Sequence, residues 1–356
     1  MELRDVTIEK KFLKQIVANN EWNEIIQVYY RRFAKEVGNR KLVNNAERLE
    51  DCNKWWLIDR YDIGKVKDFK KTNLCKDKFC NNCKKVKQAS RMGKFIPLLR
   101  PFRENMYQLT LTVPNVRGEE LKATIDQLFT SFARLIEYLK LKKKIKGVDF
   151  EHFEYKGAIR SLEVTYKGDS YHPHLHALIV LEGRPGLRHN KNAYSTDHKK
   201  GRDERLFSDD EILIQKIWYL LNNKIKVTKK AIDDLEIGYS CTLDKFREDD
   251  FIELFKYMTK ATTEDAETLS YNQFKTLYVA LKNVRQLQGY GCFFGLKDEE
   301  MSMDEVNELY DGLIAELRQK ESPVEVSETP TELLEDSEYT LISRKKVYSH
   351  LKQIKK

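Results

Sequence analysis

The segment SYHPHLHALIVLEG, residues 170–183, carries histidines at alternate positions and then continues as an apolar run. Residues two apart on a strand project from the same face, so His172, His174 and His176 are predicted to line up. Both faces are apolar beyond the histidines, which indicates a central strand. A buried imidazole costs free energy unless it is paired, so three in register favour metal coordination over a structural role. Two imidazoles at i and i+2 can bind one divalent ion and leave positions open for substrate oxygens.

The third ligand of this predicted site is open between two residues. Glu163, in the stretch SLEVTYK, can reach the ion if its strand pairs beside the histidine strand. The spacing alone fits equally well with an exposed strand carboxylate that binds no ion. His172 is the competing ligand, but Pro173 can turn it away at the edge of the strand. A mixed nitrogen and oxygen site suits Mn²⁺ or Mg²⁺ as a phosphate activator, and zinc would also bind there.

The surrounding sequence alternates between strand and helix patterns. Polar and apolar residues alternate along strands, whereas apolar residues three and four apart mark helices. The predicted strands are 106–115, 158–169, 172–183 and 238–246, and the predicted helices are 118–144, 208–223, 248–262 and 270–293. This order predicts an α+β fold with a ferredoxin-like antiparallel sheet and flanking helices.

A cluster of cysteines precedes the sheet. LCKDKFCNNCKK spaces Cys75, Cys80 and Cys83 as C-x4-C-x2-C, and Cys52 is the candidate for a fourth ligand. This spacing predicts a structural Zn²⁺ site, because one turn can supply several thiolates to a tetrahedral ion. Asp51 or Asp77 could replace Cys52, the least certain ligand of the set. Reduced thiols in a cytosolic protein favour zinc over disulfides.

A second chemical pattern lies on the predicted helix 248–262. Glu253 and Tyr257 are four residues apart and so share a face, with Lys256 and Lys260 beside the tyrosine. Tyrosines on helices are far more often packing residues than nucleophiles. A phenol of ordinary pKa needs a neighbouring cation or a metal-polarised phosphate before it can act as a nucleophile.

The charge distribution favours a nucleic-acid partner. The 356 residues carry a net charge of +8, although residues 298–338 contain fifteen acidic residues and only two basic ones. The rest of the chain is therefore more basic than the total indicates, which suits a polyanionic partner as well as a solvated surface. No stretch is long and apolar enough to span a bilayer, and the N-terminus has no apolar signal region, so we expect a cytoplasmic protein.

These patterns divide the chain into four predicted segments. They are a helical N-terminal extension (1–50), a basic four-cysteine module (51–100), a catalytic domain (101–297), and an acidic linker and helix with a basic end (298–356). The basic module is suited to DNA phosphates, with Lys84, Lys85 and Arg91 as candidate contacts beside Lys256 and Lys260.

Three motifs in order resemble the HUH endonucleases, and among them the rolling-circle replication initiators of small bacterial plasmids. LTLTVPN at 109–115 resembles the family's first motif, HPHLH at 172–176 its second, and Glu253 with Lys256 and Tyr257 its third. The upstream cysteines and the GYG at 289–291 are also similar. The resemblance covers about 52–297 and does not extend to the acidic tail.

The resemblance implies a mechanism and partners. An ion on His174 and His176, with Glu163, would polarise the scissile phosphate while Tyr257 attacks it and leaves a 5′-phosphotyrosine and a free 3′-OH. Glu253 would assist termination, so that one tyrosine suffices. The implied partners are the single strand or hairpin of a plasmid origin and a host replicative helicase, while the oligomeric state is open.

Three other functions share parts of this pattern. An HUH transposase or conjugative relaxase would use the same strand and tyrosine, although the cysteine cluster and Glu253 favour the initiator. A non-catalytic, zinc-containing DNA-binding protein would bind origin DNA without metal-dependent nicking. The ferredoxin-like sheet would also suit an RNA-binding protein, but the predicted central strands show no aromatic-rich stacking signature.

Overall fold

The computed structural model describes residues 10–52, 55–60, 66–72, 75–81, 83–84, 91, 95–183, 185–186, 192–194, 205–246, 269–295 and 338–343. They form two units, each described by itself. The cysteine unit draws on Met1–Phe95 and Glu299–Lys356, and the histidine unit on Ile96–Asp298.

The described helices and strands are numbered in chain order. The helices are α1 (Lys10–Val37), α2 (Arg40–Asp51), α3 (Leu121–Leu139), α4 (Asp209–Asn222), α5 (Lys229–Asp233) and α6 (Tyr271–Ala280), with 3₁₀ turns at Arg100–Asn105 and Glu151–Phe153. The strands are β1 (Trp55–Arg60), β2 (Val66–Thr72), β3 (Met106–Thr112), β4 (Val116–Arg117), β5 (Tyr155–Lys167), β6 (Ser170–Leu181), β7 (Asn192–Tyr194), β8 (Arg205–Phe207), β9 (Cys241–Lys245), β10 (Leu287–Gly291) and β11 (Glu338–Ser343). None of these helices is long and apolar enough to cross a membrane.

The described residues of the cysteine unit include two helices and a small sheet. Gly38 ends α1 in the left-handed conformation, with φ of 63°, and Asn39 caps α2 by accepting a hydrogen bond from the Lys41 amide. The buried side chains of the helix pair recur three and four residues apart and include Ile26, Tyr30, Phe33, Leu42, Ala46 and Leu49. The sheet has the antiparallel order β11-β1-β2. Residues 338–343, in the segment predicted as a linker with a basic end, therefore form an edge strand.

The sheet of the histidine unit is antiparallel, with the order β10-β5-β6-β3-β9, and β4 extends it beside β6. The long strands β5 and β6 are joined by a tight turn at Gly168, whose φ is +60°. This arrangement confirms the α+β antiparallel fold, and β6 is the predicted central strand. The strands predicted at 106–115, 158–169, 172–183 and 238–246 correspond to β3, β5, β6 and β9, whereas the helix predicted at 248–262 lies outside the described residues.

Two helices support this sheet. The apolar stripe of α3 is buried along its whole length, at Leu121, Ile125, Leu128, Phe132, Leu135 and Leu139. On α4, the indole nitrogen of Trp218 donates to the Thr112 carbonyl at the end of β3, at 2.8 Å. The carboxylate of Glu211 accepts from the amides of Ser208 and Leu243, at 2.9 and 2.8 Å. Glu211 therefore closes the capping box of α4 and also fixes β9 beside it.

One predicted helix was wrong over its second half. The helix predicted at 270–293, which was expected to end at the glycines, already ends with α6 at Ala280, and Leu287–Gly291 forms the edge strand β10 instead. Glycine explains the change, because a Cβ on Gly289 would lie 2.0 Å from the Phe293 carbonyl oxygen and one on Gly291 would lie 2.3 Å from that of Lys156. The GYG sequence thus marks a place where the edge strand and the backbone around it approach closely.

Candidate metal centres

The register of β5 and β6 assembles the first candidate centre. Glu163 lies directly opposite His174, and Ser161 lies opposite His176. Paired residues on antiparallel strands project from the same face, so the carboxylate and both imidazoles meet there. The strand of Glu163 therefore pairs beside the histidine strand, as the predicted metal site requires.

The donor atoms of this centre converge on one point. Glu163 Oε2 is 2.8 Å from His174 Nε2 and 2.9 Å from His176 Nε2. The three residues are only 4%, 9% and 7% exposed, in that order. Burial alone would raise the pKa of Glu163, but its hydrogen bonds with the two histidines outweigh that effect and lower the pKa to about 2. The carboxylate is therefore negatively charged in a nearly dry site.

The outer ring nitrogens orient the two imidazoles. His174 Nδ1 lies 3.1 Å from the His172 carbonyl oxygen, which can only accept, so Nδ1 carries the proton and Nε2 faces Glu163. With Nδ1 held in this way, Nε2 is the ring nitrogen that would coordinate an ion beside the Glu163 carboxylate. His176 Nδ1 lies 3.4 Å from the Thr110 hydroxyl on β3, a second contact of the orienting kind that metal-bound histidines make.

The chemistry of the donors fits a divalent ion. One donor atom of each residue lies within 4.8 Å of the others. Neighbouring ligands of an octahedral Mg²⁺, each about 2.0–2.1 Å from the ion, lie about 3 Å apart, close to the distances found here. Three protein ligands also leave positions for other oxygens.

His172 stands beside this group of donors and not within it. Its ring stacks on that of His174 with centroids 5.0 Å apart, and it hydrogen-bonds to the backbone of Val113. Burial and the neighbouring His174 lower the pKa of His172, which keeps it neutral. The geometry therefore favours Glu163 over His172 as the third ligand.

The four cysteines form the second candidate centre. The Sγ atom of Cys52 lies 3.6 Å from that of Cys80 and 3.7 Å from that of Cys83, and the Sγ atoms of Cys75 and Cys83 are 3.5 Å apart. These separations are far longer than a disulfide bond. Four thiolates about 2.3 Å from a tetrahedral zinc ion lie about 3.8 Å apart, so the group fits zinc. Cys52 belongs to this buried set, whereas the Asp77 carboxylate is held by Tyr30 and by the Phe79 amide.

The helix pair supports the cysteine loop from outside, a role that the sequence did not reveal. Asn23 Nδ2 on α1 donates to Cys80 Sγ at 3.2 Å, and Trp22 Nε1 donates to the Phe79 carbonyl at 2.8 Å. Arg48 on α2 donates to the Cys75 carbonyl. Hydrogen bonds from the neighbouring thiols lower the pKa of Cys80. Side chains of α1 and α2 are thus part of the cysteine site, and no sequence motif in these two helices predicts that role.

Only some of the remaining predicted site residues lie in the described part of the chain. Glu253, Lys256, Tyr257 and Lys260 lie outside the described residues, as does Lys85. Lys84 is partly exposed, with its ammonium 6.0 Å from the centre of the Trp22 ring. Arg91 is buried, which does not favour a contact with a phosphate.

Comparison with known proteins supports the resemblance drawn from the motifs. Residues 66–197 match the family described as "Replication protein". A "Protein rep" of Streptococcus pneumoniae is 32% identical over 155 residues, which are 42% of this chain and 44% of the relative. One of Staphylococcus aureus is 29% identical over 175 residues, 48% of this chain and 69% of the relative. One of Bacillus amyloliquefaciens is 30% identical over 161 residues, 43% of this chain and 44% of the relative.

These matches set the extent of the similarity. The chain spans less than half the length of the S. pneumoniae relative. The family match includes Glu163, His174, His176 and three of the four cysteines, while Glu253 and Tyr257 lie beyond it. No solved structure matches the chain. The predicted resemblance to replication proteins is confirmed over residues 66–197, which include the histidine centre.

Proposed function

We propose that this chain, whose residues 66–197 carry the pattern of a replication-protein family, initiates rolling-circle replication of a plasmid by nicking one strand of its origin. The observation that carries the proposal is the convergence of Glu163, His174 and His176 at one point of the two central strands. A buried carboxylate and two imidazoles with open positions suit an ion that binds a phosphate oxygen.

In this proposal the residues of the histidine centre hold and orient the ion that acts on the phosphate. A Mn²⁺ or Mg²⁺ ion held there would polarise the scissile phosphate. Glu163 supplies the negative charge that holds a divalent cation. The His172 carbonyl and the Thr110 hydroxyl orient His174 and His176, so the donor atoms are positioned before DNA arrives.

Tyr257 is the proposed nucleophile. Its phenolic oxygen forms a bond to phosphorus while the bond from phosphorus to the 3′ oxygen breaks. The phenolic proton ends on the leaving oxygen, which becomes the free 3′-OH, and the 5′ phosphate stays on the tyrosine. Lys256 and Lys260 are placed by the sequence to stabilise the negative charge near the phenol. In this proposal Glu253 activates water, or assists a second cleavage, at termination.

The cysteine unit is the proposed structural module of the initiator, stabilised by Zn²⁺. Through its basic residues, including Lys84 and Lys85, it would help to bind the origin's single strand or hairpin. A host replicative helicase is the expected protein partner. These assignments rest on the family similarity and on the charge of the sequence.

The test is incubation with a supercoiled plasmid that carries its origin. With Mn²⁺ or Mg²⁺ we expect open-circular product with protein attached to a 5′ end, and with EDTA neither. Tyr257→Phe should abolish the covalent adduct with an origin oligonucleotide, while Tyr278→Phe serves as the matched control on another helix. Binding of the origin without nicking under every metal condition would instead favour a non-catalytic DNA-binding protein.

A second experiment separates the two roles of the predicted pair. Glu253→Ala should leave the first nick at wild-type yield and reduce the release of unit-length circles. Equal loss of nicking and release would refute this division of labour.

A further inference from the structure

Arg160 places a positive charge inside the histidine unit, on the side of the sheet opposite the metal-binding face. It is three residues before Glu163 on β5, so the two side chains project from opposite faces. The side chain is only 2% exposed. Its guanidinium carbon lies 3.6 Å from the centre of the Phe129 ring on α3, a close cation–π contact.

Within the described part of the chain, the hydrogen-bond partners of this guanidinium are neutral. Arg160 donates to the Tyr290 hydroxyl at 3.1 Å, to the Gln288 side-chain oxygen at 2.8 Å and to the Arg285 carbonyl at 3.3 Å. No carboxylate of the described residues lies within ion-pair distance of it. Burial lowers the pKa of Arg160, and nearby Arg285 adds like-charge repulsion. A buried cation with no anion is costly, which points to a negatively charged ligand.

Two cavities of about 490 and 370 Å³ border Arg160, and both also include Phe129 and Gln288 in their walls. The first is lined by Arg134 and by Lys143, which is paired with Glu137 at 2.8 Å. The second is lined by Lys282, Arg285 and the ion pair of Lys122 with Asp126. The paired charges cancel. In the described part of the chain, an excess of cations therefore remains on both sides of Arg160, namely Arg134, Lys282 and Arg285.

We propose that this surface, called here the Arg160 groove, binds consecutive phosphates of a nucleic-acid backbone. The exposed residues Arg134, Lys282 and Arg285 would contact the phosphates, and the buried Arg160 would add its positive charge from beneath them. A single small anion would need one cluster of cations, whereas these cations lie in two cavities on either side of a buried guanidinium. Arginine suits this task because its planar fork binds phosphate oxygens with fixed geometry. DNA bound there would lie on the other side of the sheet from the scissile phosphate, so the groove would hold duplex outside the nicking site. The identification of DNA, but not of a polyanion, rests on the proposed function.

Arg160 also has a structural role, which the test must separate from binding. Its three hydrogen bonds reach the edge strand β10 and the residues just before it, so Arg160→Gln can loosen that edge. The exposed residues Arg134 and Lys282 make no such contacts. The double variant Arg134→Glu/Lys282→Glu therefore removes the proposed contacts while it leaves the packing of the sheet intact. Lys226→Glu/Lys230→Glu makes the same charge change at exposed positions that line neither cavity.

The experiment measures binding of a duplex oligonucleotide from beside the origin's nick site by fluorescence anisotropy, over a series of salt concentrations. Affinity falls with salt, and each phosphate contact contributes about −0.9 to the slope of log affinity against log salt, so Arg134→Glu/Lys282→Glu should make that slope less steep by about two units. The control variant should keep the wild-type slope. Cleavage of a short single-stranded oligonucleotide that spans only the nick site should be unchanged in both variants.

Two outcomes would overturn the proposal. One is an equal loss of affinity in both double variants, which would mean a general effect of charge. The other is that inorganic phosphate or a nucleoside triphosphate raises the melting temperature of the wild type but not of Arg134→Glu/Lys282→Glu, while duplex affinity is unchanged, which would mean a small-anion site. If the wild type nicks nothing, the proposed function fails, and the anisotropy comparison still decides the groove.

Discussion

Replacement of Asn23 by leucine tests the link between α1 and the cysteine site. Asn23 is fully buried, its Nδ2 donates to Cys80 Sγ at 3.2 Å, and its Oδ1 has no hydrogen-bond partner among the described residues. A buried carbonyl oxygen without a partner costs about 1–3 kcal/mol. Leucine has a similar volume and no polar atom. Asn23→Leu should therefore leave the stability of the metal-free protein unchanged or slightly higher.

The same replacement should weaken metal binding. A hydrogen bond to a charged acceptor such as a thiolate contributes about 1.5–3 kcal/mol. Since about 1.4 kcal/mol corresponds to a tenfold change in affinity, the zinc dissociation constant should rise about 10- to 150-fold. That range agrees with the loss of about 10- to 100-fold typical of residues that orient metal ligands.

The assay is competition for zinc against a chromophoric chelator at constant pH, with thermal unfolding in excess EDTA as the measure of metal-free stability. Asn44→Leu, an exposed asparagine on α2, is the matched control and should keep the wild-type zinc affinity. A zinc affinity of Asn23→Leu within twofold of the wild type, in a folded protein, would refute the reasoning. So would an equal loss of stability with and without metal, since that would show a packing defect and no contact with the thiolate.

Three further changes test the histidine unit. His174→Ala should lower Mn²⁺ affinity at least about 100-fold by isothermal titration, whereas His172→Gln should lower it less than about tenfold, because ligands matter more than their neighbours; equal losses would make His172 a ligand. Thr110→Val should lower Mn²⁺ affinity about tenfold, whereas Thr110→Ser should keep the wild-type affinity, because serine retains the hydroxyl that contacts His176. An equal loss in both variants would contradict this. Phe132→Ala should reduce the free energy of unfolding by about 3–5 kcal/mol in urea titrations, because its ring is fully buried against the sheet, and a loss below about 1 kcal/mol would contradict the packing of α3.

The histidine centre could be predicted because its pattern is local. Alternation along 172–176 fixes the face of the histidines, and one strand pairing adds Glu163. The choice between Glu163 and His172 was open in the sequence because it depends on register, which decides that Glu163 lies opposite His174. Thr110 could not be foreseen, since its contact with His176 joins residues 66 positions apart on neighbouring strands.

Other features escaped prediction for equally physical reasons. The apolar spacing of helix 270–293 continues past Ala280, yet the chain becomes strand β10 because glycines there allow close backbone contact with β5. Asn23 and Arg160 resembled ordinary polar residues of a helix and a strand, and only tertiary packing buries them. A buried polar side chain cannot be recognised from the type of residue alone.

The two centres differ in openness, and this difference assigns their roles. All four candidate ligands of the cysteine centre are buried sulfurs, which would fill a tetrahedral shell and leave no position for substrate. The histidine centre has three hard or borderline ligands, and an ion there keeps open positions. The cysteine loop is held by hydrogen bonds from α1 and α2, whereas the histidine ligands lie on the central strands of a larger sheet. Loss of zinc should therefore lower the melting temperature of the cysteine unit, while loss of the ion at the histidine centre should abolish nicking and leave the stability of that unit nearly unchanged.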